Sequence, residues 1–321
     1  MDFLANYFGS LNPMSFLSAL PGNIAQGIIW GLMGLGVFLT FKLLNFADLS
    51  VDGSFATGGA VTAVMLINGC PVWATIIVAI LAGLAAGLVT GLLHTLLGIP
   101  DILAGILTQI ALYSINLNIM GKSNLPISYR NYTLVVSASN INMAILVGLG
   151  ICAVVIAAMY WYFGTEQGST IRSTGSNPAM SKAQGININF TKVIALALSN
   201  GLVALSGSLF AQYQGFADIN MGRGAIVIGL AAVIIGEVLG EAIFRKHVNF
   251  IIRMLFVIVG GILYYIAMGI VLWLKMPTDD TKLFTAIIVA IFLAVPYLQK
   301  KRKTSFKKVA KMNAKNAQKE G

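Results

Sequence analysis

Residues 53–100 read GSFATGGAVTAVMLINGCPVWATIIVAILAGLAAGLVTGLLHTLLGIP, without one Asp, Glu, Lys or Arg. A membrane-spanning helix needs about 20 apolar residues, so this stretch holds two. Asn68-Gly69-Cys70-Pro71 marks the break between them, because Gly and Pro end helices for steric reasons. Further uncharged runs lie at Phe3–Phe41, Ile102–Gly121, Asn131–Thr165, Val193–Ala217, Met254–Leu274 and Leu283–Gln299. The whole chain is 57% hydrophobic and 10% charged, against about 25% charged in a soluble domain. The sequence therefore predicts an all-α polytopic membrane protein without a separate soluble domain.

Hydrophobic length and turn residues place nine spans, at about 24–41, 53–69, 73–97, 102–120, 141–163, 192–212, 225–242, 250–274 and 283–298. Residues 1–22 are left as an N-terminal interfacial segment, 164–190 as a long polar loop and 299–321 as a basic tail. No basic n-region or cleavage pattern marks a removable signal peptide. Nine of the 21 Lys and Arg fall between Lys300 and Lys319, so the net charge of +10 is mainly a tail facing anionic lipid and not a nucleic-acid surface. Because cytoplasmic loops retain basic residues, the tail is placed inside and, with nine spans, the N-terminus outside. Lys42, Arg172, Lys182, Lys192, Arg245, Lys246 and Arg253 then join the tail, against Lys122, Arg130, Arg223, Lys275 and Lys282 on the other face.

A shift of 170 residues aligns Gly31-Leu32-Met33-Gly34-Leu35 with Gly201-Leu202-Val203-Ala204-Leu205 and, without a gap, Phe46-Ala47-Asp48 with Phe216-Ala217-Asp218. In the nine-span arrangement the two copies face opposite sides. The layout is four spans, one linking span at 141–163 and four spans, giving inverted repeats 24–120 and 192–298. Such repeats are characteristic of transporters, where interrupted helices lie near the solute path. Asp48, Ser50 and Asp52 follow one motif; Asp218 and Asn220 follow the other. These residues either cap new helix starts or line the path, since irregular backbone at depth is buried in protein or wet. Gln109 and Asn116 in the fourth span, with Ser114 and Asn118, and Asn200 in the sixth, with Ser199 and Ser206, line a pore or bond between helices. Gly83, Gly87 and Gly91, and Gly27 with Gly31, form stripes that let backbones approach.

Glu237 and Glu241 share a helix face, and Arg245 is the expected partner of Glu241. Glu237, one turn deeper, is the candidate intramembrane carboxylate. Cys70 and Cys152 fit no metal spacing and are not expected to pair. His94 and His247 give a metal site little support. No phosphate-binding Gly-x-x-x-x-Gly-Lys-Ser/Thr run and no catalytic Ser/His/Asp set occurs, so neither ATP hydrolysis nor other enzyme chemistry is expected of this chain.

Within the polar loop, Ser176 or Asn177 can cap a helix, Pro178 suits its first position and Gly185 its end. A helix over Pro178–Gln184 results. Its exposed Ser181 and Lys182, with Arg172 ahead of it, make either a solvated loop or a docking surface. The run Thr170-Ile-Arg172-Ser-Thr-Gly175-Ser-Asn177-Pro178-Ala179-Met-Ser-Lys182-Ala183-Gln-Gly185-Ile186-Asn187 resembles the cytoplasmic coupling loop of the branched-chain amino acid, ribose and nucleoside permease family of bacterial ABC importers. Phe46-Ala-Asp48-Leu49-Ser50-Val51-Asp52-Gly53-Ser54, followed by Gly58-Gly59-Ala60-Val61, is similar to that family's broken-helix segment. The resemblance covers Gly27 to Val295. It is nearest to the branch with aromatic amino acid systems, through Asp48–Gly53 and Gly229–Glu237.

The resemblance implies a permease in the bacterial plasma membrane that imports a small organic solute, such as an amino acid. It implies a second permease chain (a homodimer), a cytoplasmic ATPase dimer that holds ATP and Mg, and an extracytoplasmic solute-binding protein. This chain would bind no cofactor itself. Pro178–Gly185 would enter a groove on the ATPase, with Arg172, Asn177, Pro178, Ala179, Ser181, Lys182 and Gly185 as docking residues. Unlike the ribose-type members, the chain lacks an additional N-terminal span with a basic start. The alternative is an ion-coupled secondary transporter, for which Glu237 is the candidate carboxylate.

Overall fold

The computed structural model describes residues 13–128, 132–244 and 249–274, together with 283, 284, 286–291 and 294. Ten helices and one small sheet occur in the continuous stretches: α1 (Pro13–Val37, prolonged by a π-helical segment Phe38–Leu43), α2 (Val51–Ile67), α3 (Val72–Thr95), α4 (Asp101–Met120), β1 (Asn124–Pro126), α5 (Ile141–Phe163), α6 (Glu166–Ser176), α7 (Pro178–Ala183), α8 (Ile188–Gln214), β2 (Phe216–Asp218), α9 (Ala225–Phe244) and α10 (Phe250–Trp273). Among the described residues, seven helices are long and apolar enough to cross a membrane, and α2 is a shorter apolar helix of 17 residues. The expected ninth span at 283–298 lies partly outside the described residues; those described there are helical.

Residues 13–22, expected within a separate interfacial segment, instead open α1, which passes through Pro21. No charge interrupts this stretch before Lys42, and an apolar surrounding favours backbone groups that bond within a helix. The loop at 164–190 carries α6 as well as the expected short helix. The composition of α6, rich in Gly, Ser and Thr, is a poor helix former, so its docking on the bundle supports it. A Cβ on Gly175 would collide with the Leu43 carbonyl, and one on Gly168 with Phe163.

Helices α1 and α8 form the centre of the bundle, flanked by α3 and α2 on one side and by α10 and α9 on the other. Because lipid tails are as apolar as Leu, close packing and hydrogen bonds, not water exclusion, hold such helices together. The glycine stripe of α3 meets that need. A Cβ at Gly83 would strike the Asn200 carbonyl, at Gly87 the Leu196 carbonyl and at Gly91 Val193 of α8. Gly27 and Gly31 similarly seat α1 against Ile262 and Ile258 of α10. Ser199 Oγ and Ser206 Oγ donate to the Gly36 and Ile29 carbonyls of α1 at 2.8 and 2.7 Å, which makes them interhelical bonds. Trp30 stacks on Phe55 at 4.7 Å and meets Phe210 edge-on at 5.4 Å, joining α1, α2 and α8.

The pairs Ser54–Asn200 and Thr62–Ser208, 2.6 and 2.7 Å apart, set α2 parallel to α8. Asn200 lies near the middle of α8, whose 27 residues extend about 40 Å at 1.5 Å per residue. Helix α2 therefore begins deep in the bundle. The start of α9 meets it there, because Asp52 Oδ2 and Oδ1 accept the Gly224 and Ile226 N–H groups, each at 2.9 Å. From this meeting point α2 runs toward the β1–β2 end and α9 toward the end carrying Lys42. The antiparallel sheet pairs Asn124, Leu125 and Pro126 with Asp218, Ala217 and Phe216.

Candidate functional site

Helix α4 presents Gln109, Tyr113 and Asn116 at helical spacing toward the start of α2, where Asp52 and Gly53 lie. Ile219 and Arg223, in the turn between β2 and α9, complete the wall beside Asp52. Together they line a cleft of about 310 Å³, open on one side, with Ala56 and Ile110 on its wall. Gly53 is required by closeness here: its Cβ would press on Leu112 and on the Gln109 backbone. Asp52 serves the cleft and the fold together, its carboxylate holding the first turn of α9. Asn116 is fully buried, and neither its Oδ1 nor its Nδ2 finds a hydrogen-bond partner.

Asp48, Ser50 and Asn200 form a second cluster, fully bonded and not part of the cleft wall. Asp48, 2% exposed, accepts the Ser50 N–H at 2.9 Å and the Ser50 hydroxyl on Oδ1, and the Asn200 Nδ2–H on Oδ2 at 2.8 Å. Asn200 Oδ1 accepts the Ser54 hydroxyl, and its amide also donates to the Leu196 carbonyl at 3.0 Å. This network ties the start of α2 to the middle of α8. Asp218 makes the same local bond, accepting the Asn220 N–H at 2.7 Å. It ends β2, where Asn124 Nδ2 of β1 also bonds it at 3.3 Å, and Asn220 is exposed.

Glu237 joins neither cluster. Lys42, at the end of the π-helical segment, donates to its carboxylate at 2.8 Å. Starting α9 deep in the bundle brings Glu237 to the level where α1 ends, so the candidate intramembrane carboxylate forms an ion pair beside the end of α1. Arg245, the expected partner of Glu241, lies outside the described residues. Ser114 and Asn118 are exposed on the outward side of α4. Cys70 and Cys152 are both free. Among the described residues, no three His, Cys, Asp or Glu side chains are grouped to hold a metal ion.

At the Lys42 end, α6 and α7 project as an arm. Thr165 Oγ1 caps α6 through the Gly168 N–H at 3.4 Å. Asn177 Oδ1 caps α7 through the Met180 N–H at 3.0 Å, Pro178 fills its first position, and Gly185 follows its end with φ of 83°. Of two expected surface residues, Ser181 turns inward and Arg172 stays exposed. Ser181 is 2% exposed, its hydroxyl bonded to the Asn177 carbonyl at 3.0 Å. Arg172 donates to the Phe163 carbonyl at 2.9 Å and lies 5.9 Å from the Phe250 ring centre, bracing the arm on the bundle. The exposed face consists of Asn177, Pro178, Ala179, Lys182 and Met180, which is 58% exposed.

Sequence reasoning missed Tyr113, Arg223 and Met180. Tyr113 was accessible from its spacing of four from Gln109. Arg223 was counted only as a loop charge, because its place in the cleft depends on the return of the chain from β2.

Residues 22–296 match the family described as the permease component of branched-chain amino acid transport systems. A tyrosine transport system permease protein of Clostridioides difficile (strain R20291) is 42% identical, over 93% of this chain and 99% of its own length. The D-allose transport system permease protein AlsC of Escherichia coli (strain K12) is 27% identical, over 80% of this chain and 77% of its own. Among solved structures, PsaBC from Streptococcus pneumoniae in complex with Fab has a similar fold, with a TM-score of 0.50 and 16% identity over 91% of this chain and 94% of that one. A bundle with two helix starts meeting at depth, an external arm bearing a capped helix, and a match over nearly the whole chain lead to one assignment: the protein belongs to the family of permease components of branched-chain amino acid transport systems.

Proposed function

We propose that this chain is the membrane permease of an ATP-driven importer for amino acids, with aromatic ones among its solutes. The observation that carries the reading is the arm: α7 is capped, exposed on one face, and braced to the bundle by Arg172 and Gly175. A rigid lever of this kind suits transmission of motion from a soluble ATPase. The 42% identity to a tyrosine transport system permease protein supports the solute class. In this reading α7 enters a groove on each member of an ATPase dimer, which holds ATP and Mg. Two copies of the chain enclose the path in a bacterial plasma membrane, and a solute-binding protein delivers cargo to the face opposite the arm.

The nine-span, four-one-four arrangement with inverted repeats belongs to the same proposal. It is supported by the antiparallel course of α2 and α9 from one meeting point and by the matching turns at Asp48 and Asp218. Alternating access would tilt one repeat against the other about this point, with the arm, the C-terminus and Lys42 on the cytoplasmic side and the N-terminus outside. An ion-coupled mechanism relying on Glu237 is disfavoured by its pairing with Lys42. Replacement of Pro178–Gly185 by a Gly/Ser linker of equal length is expected to abolish solute-stimulated ATP hydrolysis in the reconstituted complex while leaving the bundle folded. Full stimulation by that variant would overturn the docking claim, and uptake that persists without the ATPase but stops with an uncoupler would overturn the energy source.

A further inference from the structure

An amide buried without partners is costly, because it gives up its hydrogen bonds to water and gains none in return. Asn116 leaves both its polar atoms unpaired, and it borders a cleft that has room for a small molecule. The other polar groups on the wall differ in charge. Asp52 supplies a carboxylate; each of its oxygens accepts one backbone N–H and retains acceptor capacity, since an ionised carboxylate offers about four lone-pair sites. Arg223 supplies a permanent cation, and its guanidinium has no side-chain hydrogen bond or ion pair among the described residues. Tyr113, Ile110 and Ile219 make the rest of the wall aromatic and apolar.

From this juxtaposition we infer that the cleft is a solute subsite for a zwitterionic amino acid with an aromatic or large apolar side chain. The substrate carboxylate pairs with Arg223, in the planar two-bond geometry a guanidinium favours. The ammonium group faces Asp52 and donates to Asn116 Oδ1, and the side chain lies against Tyr113. The amide NH2 of Asn116 remains free to bond the substrate carboxylate. Two opposite charges on the wall of one cleft, Asp52 and Arg223, fix the orientation of the solute, and a sugar or an uncharged base would leave both charges unanswered. This subsite rests on the permease reading and names residues and a substrate chemistry that reading leaves open.

The test is saturation-transfer NMR on the chain reconstituted with its ATPase in lipid nanodiscs, a measurement suited to weak binding. The probes are L-phenylalanine and phenethylamine, which lacks the carboxylate. The wild type is expected to bind L-phenylalanine about tenfold better than phenethylamine, the worth of one charge-assisted bond. Arg223→Gln is expected to abolish that difference, and Asn116→Leu to weaken L-phenylalanine about threefold to tenfold. Lys122→Gln, the same loss of charge outside the cleft, leaves binding unchanged. Arg223 is exposed, so its variant does not threaten the fold should Asn116→Leu do so. Absence of an L-phenylalanine signal in the wild type, or equal discrimination in wild type and Arg223→Gln, overturns the subsite. ATP hydrolysis by the same nanodiscs separates the two readings: coupled hydrolysis with unchanged ligand signals removes the subsite alone, and loss of coupling in the wild type removes the permease function while the ligand signals still decide the subsite.

Discussion

Asp48 and Asn116 are both buried polar residues reached by the same sequence argument, yet their surroundings differ. Asp48 is satisfied by Ser50 and Asn200, and removing its carboxylate would orphan the Ser50 N–H at depth and take one bond each from the Asn200 amide and the Ser50 hydroxyl, which keep the Leu196 carbonyl and Asn200 Oδ1. Each buried group so orphaned costs about 1–3 kcal/mol. Asp48→Ala is therefore expected to lower the melting temperature of the detergent-solubilised protein by several degrees, measured by size-exclusion after heating. Asp218→Ala, at the partly exposed end of β2, is expected to change it far less. Equal shifts would show that the Asp48 network contributes little. Lys42 and Glu237 form a partly exposed pair, worth about 0–1 kcal/mol, so Glu237→Gln is expected to leave the same melting curve nearly unmoved.

At the scale of elements, the contact of α3 with α8 depends on missing side chains. A Leu at Gly87 has no space between the backbones, and overpacking of this kind costs about 1–3 kcal/mol or more. Gly87→Leu is expected to destabilise the bundle, whereas Leu88→Ala, on the exposed side of the same helix, is expected to be silent; thermal unfolding of both variants checks this. The arm yields a second expectation. Loss of an N-cap costs about 1 kcal/mol, a large share of what holds a six-residue helix. Asn177→Ala should reduce ATPase stimulation in the reconstituted complex, and Asn177→Asp, which retains an acceptor, should keep most of it. Equal stimulation by both would mean that α7 need not be preformed.

For the whole molecule, the meeting of α2 and α9 lets one bundle present helix starts directed at opposite faces. That arrangement has a consequence for topology. With both native cysteines replaced, Lys182→Cys on the arm is expected to react with a membrane-impermeant maleimide only after cell lysis, and Lys122→Cys in intact cells. The reverse pattern would invert the proposed orientation. The same geometry explains why the fold and the arm were legible early. Absence of charge over tens of residues has few meanings outside lipid, and a Pro between Asn177 and a later Gly185 specifies a short capped helix locally. The candidate site was legible only in part, since Asp52, Gln109 and Asn116 were named without the residues that face them.

The sequence by itself determined that the chain is a helical membrane protein, where the polar arm lies and how α7 is capped, because these depend on local composition and on side chains within a few residues of one another. Tertiary structure alone decided which polar residues are spent on structure and which face a cavity. Asp48 and Asn116 are separated by that difference, and so are Glu237, which is answered by Lys42, and Arg223, which is brought to the cleft. Such pairings join residues far apart in the chain, and their geometry follows from where α2 and α9 begin in depth. That depth is set by contacts between helices, which no local pattern records.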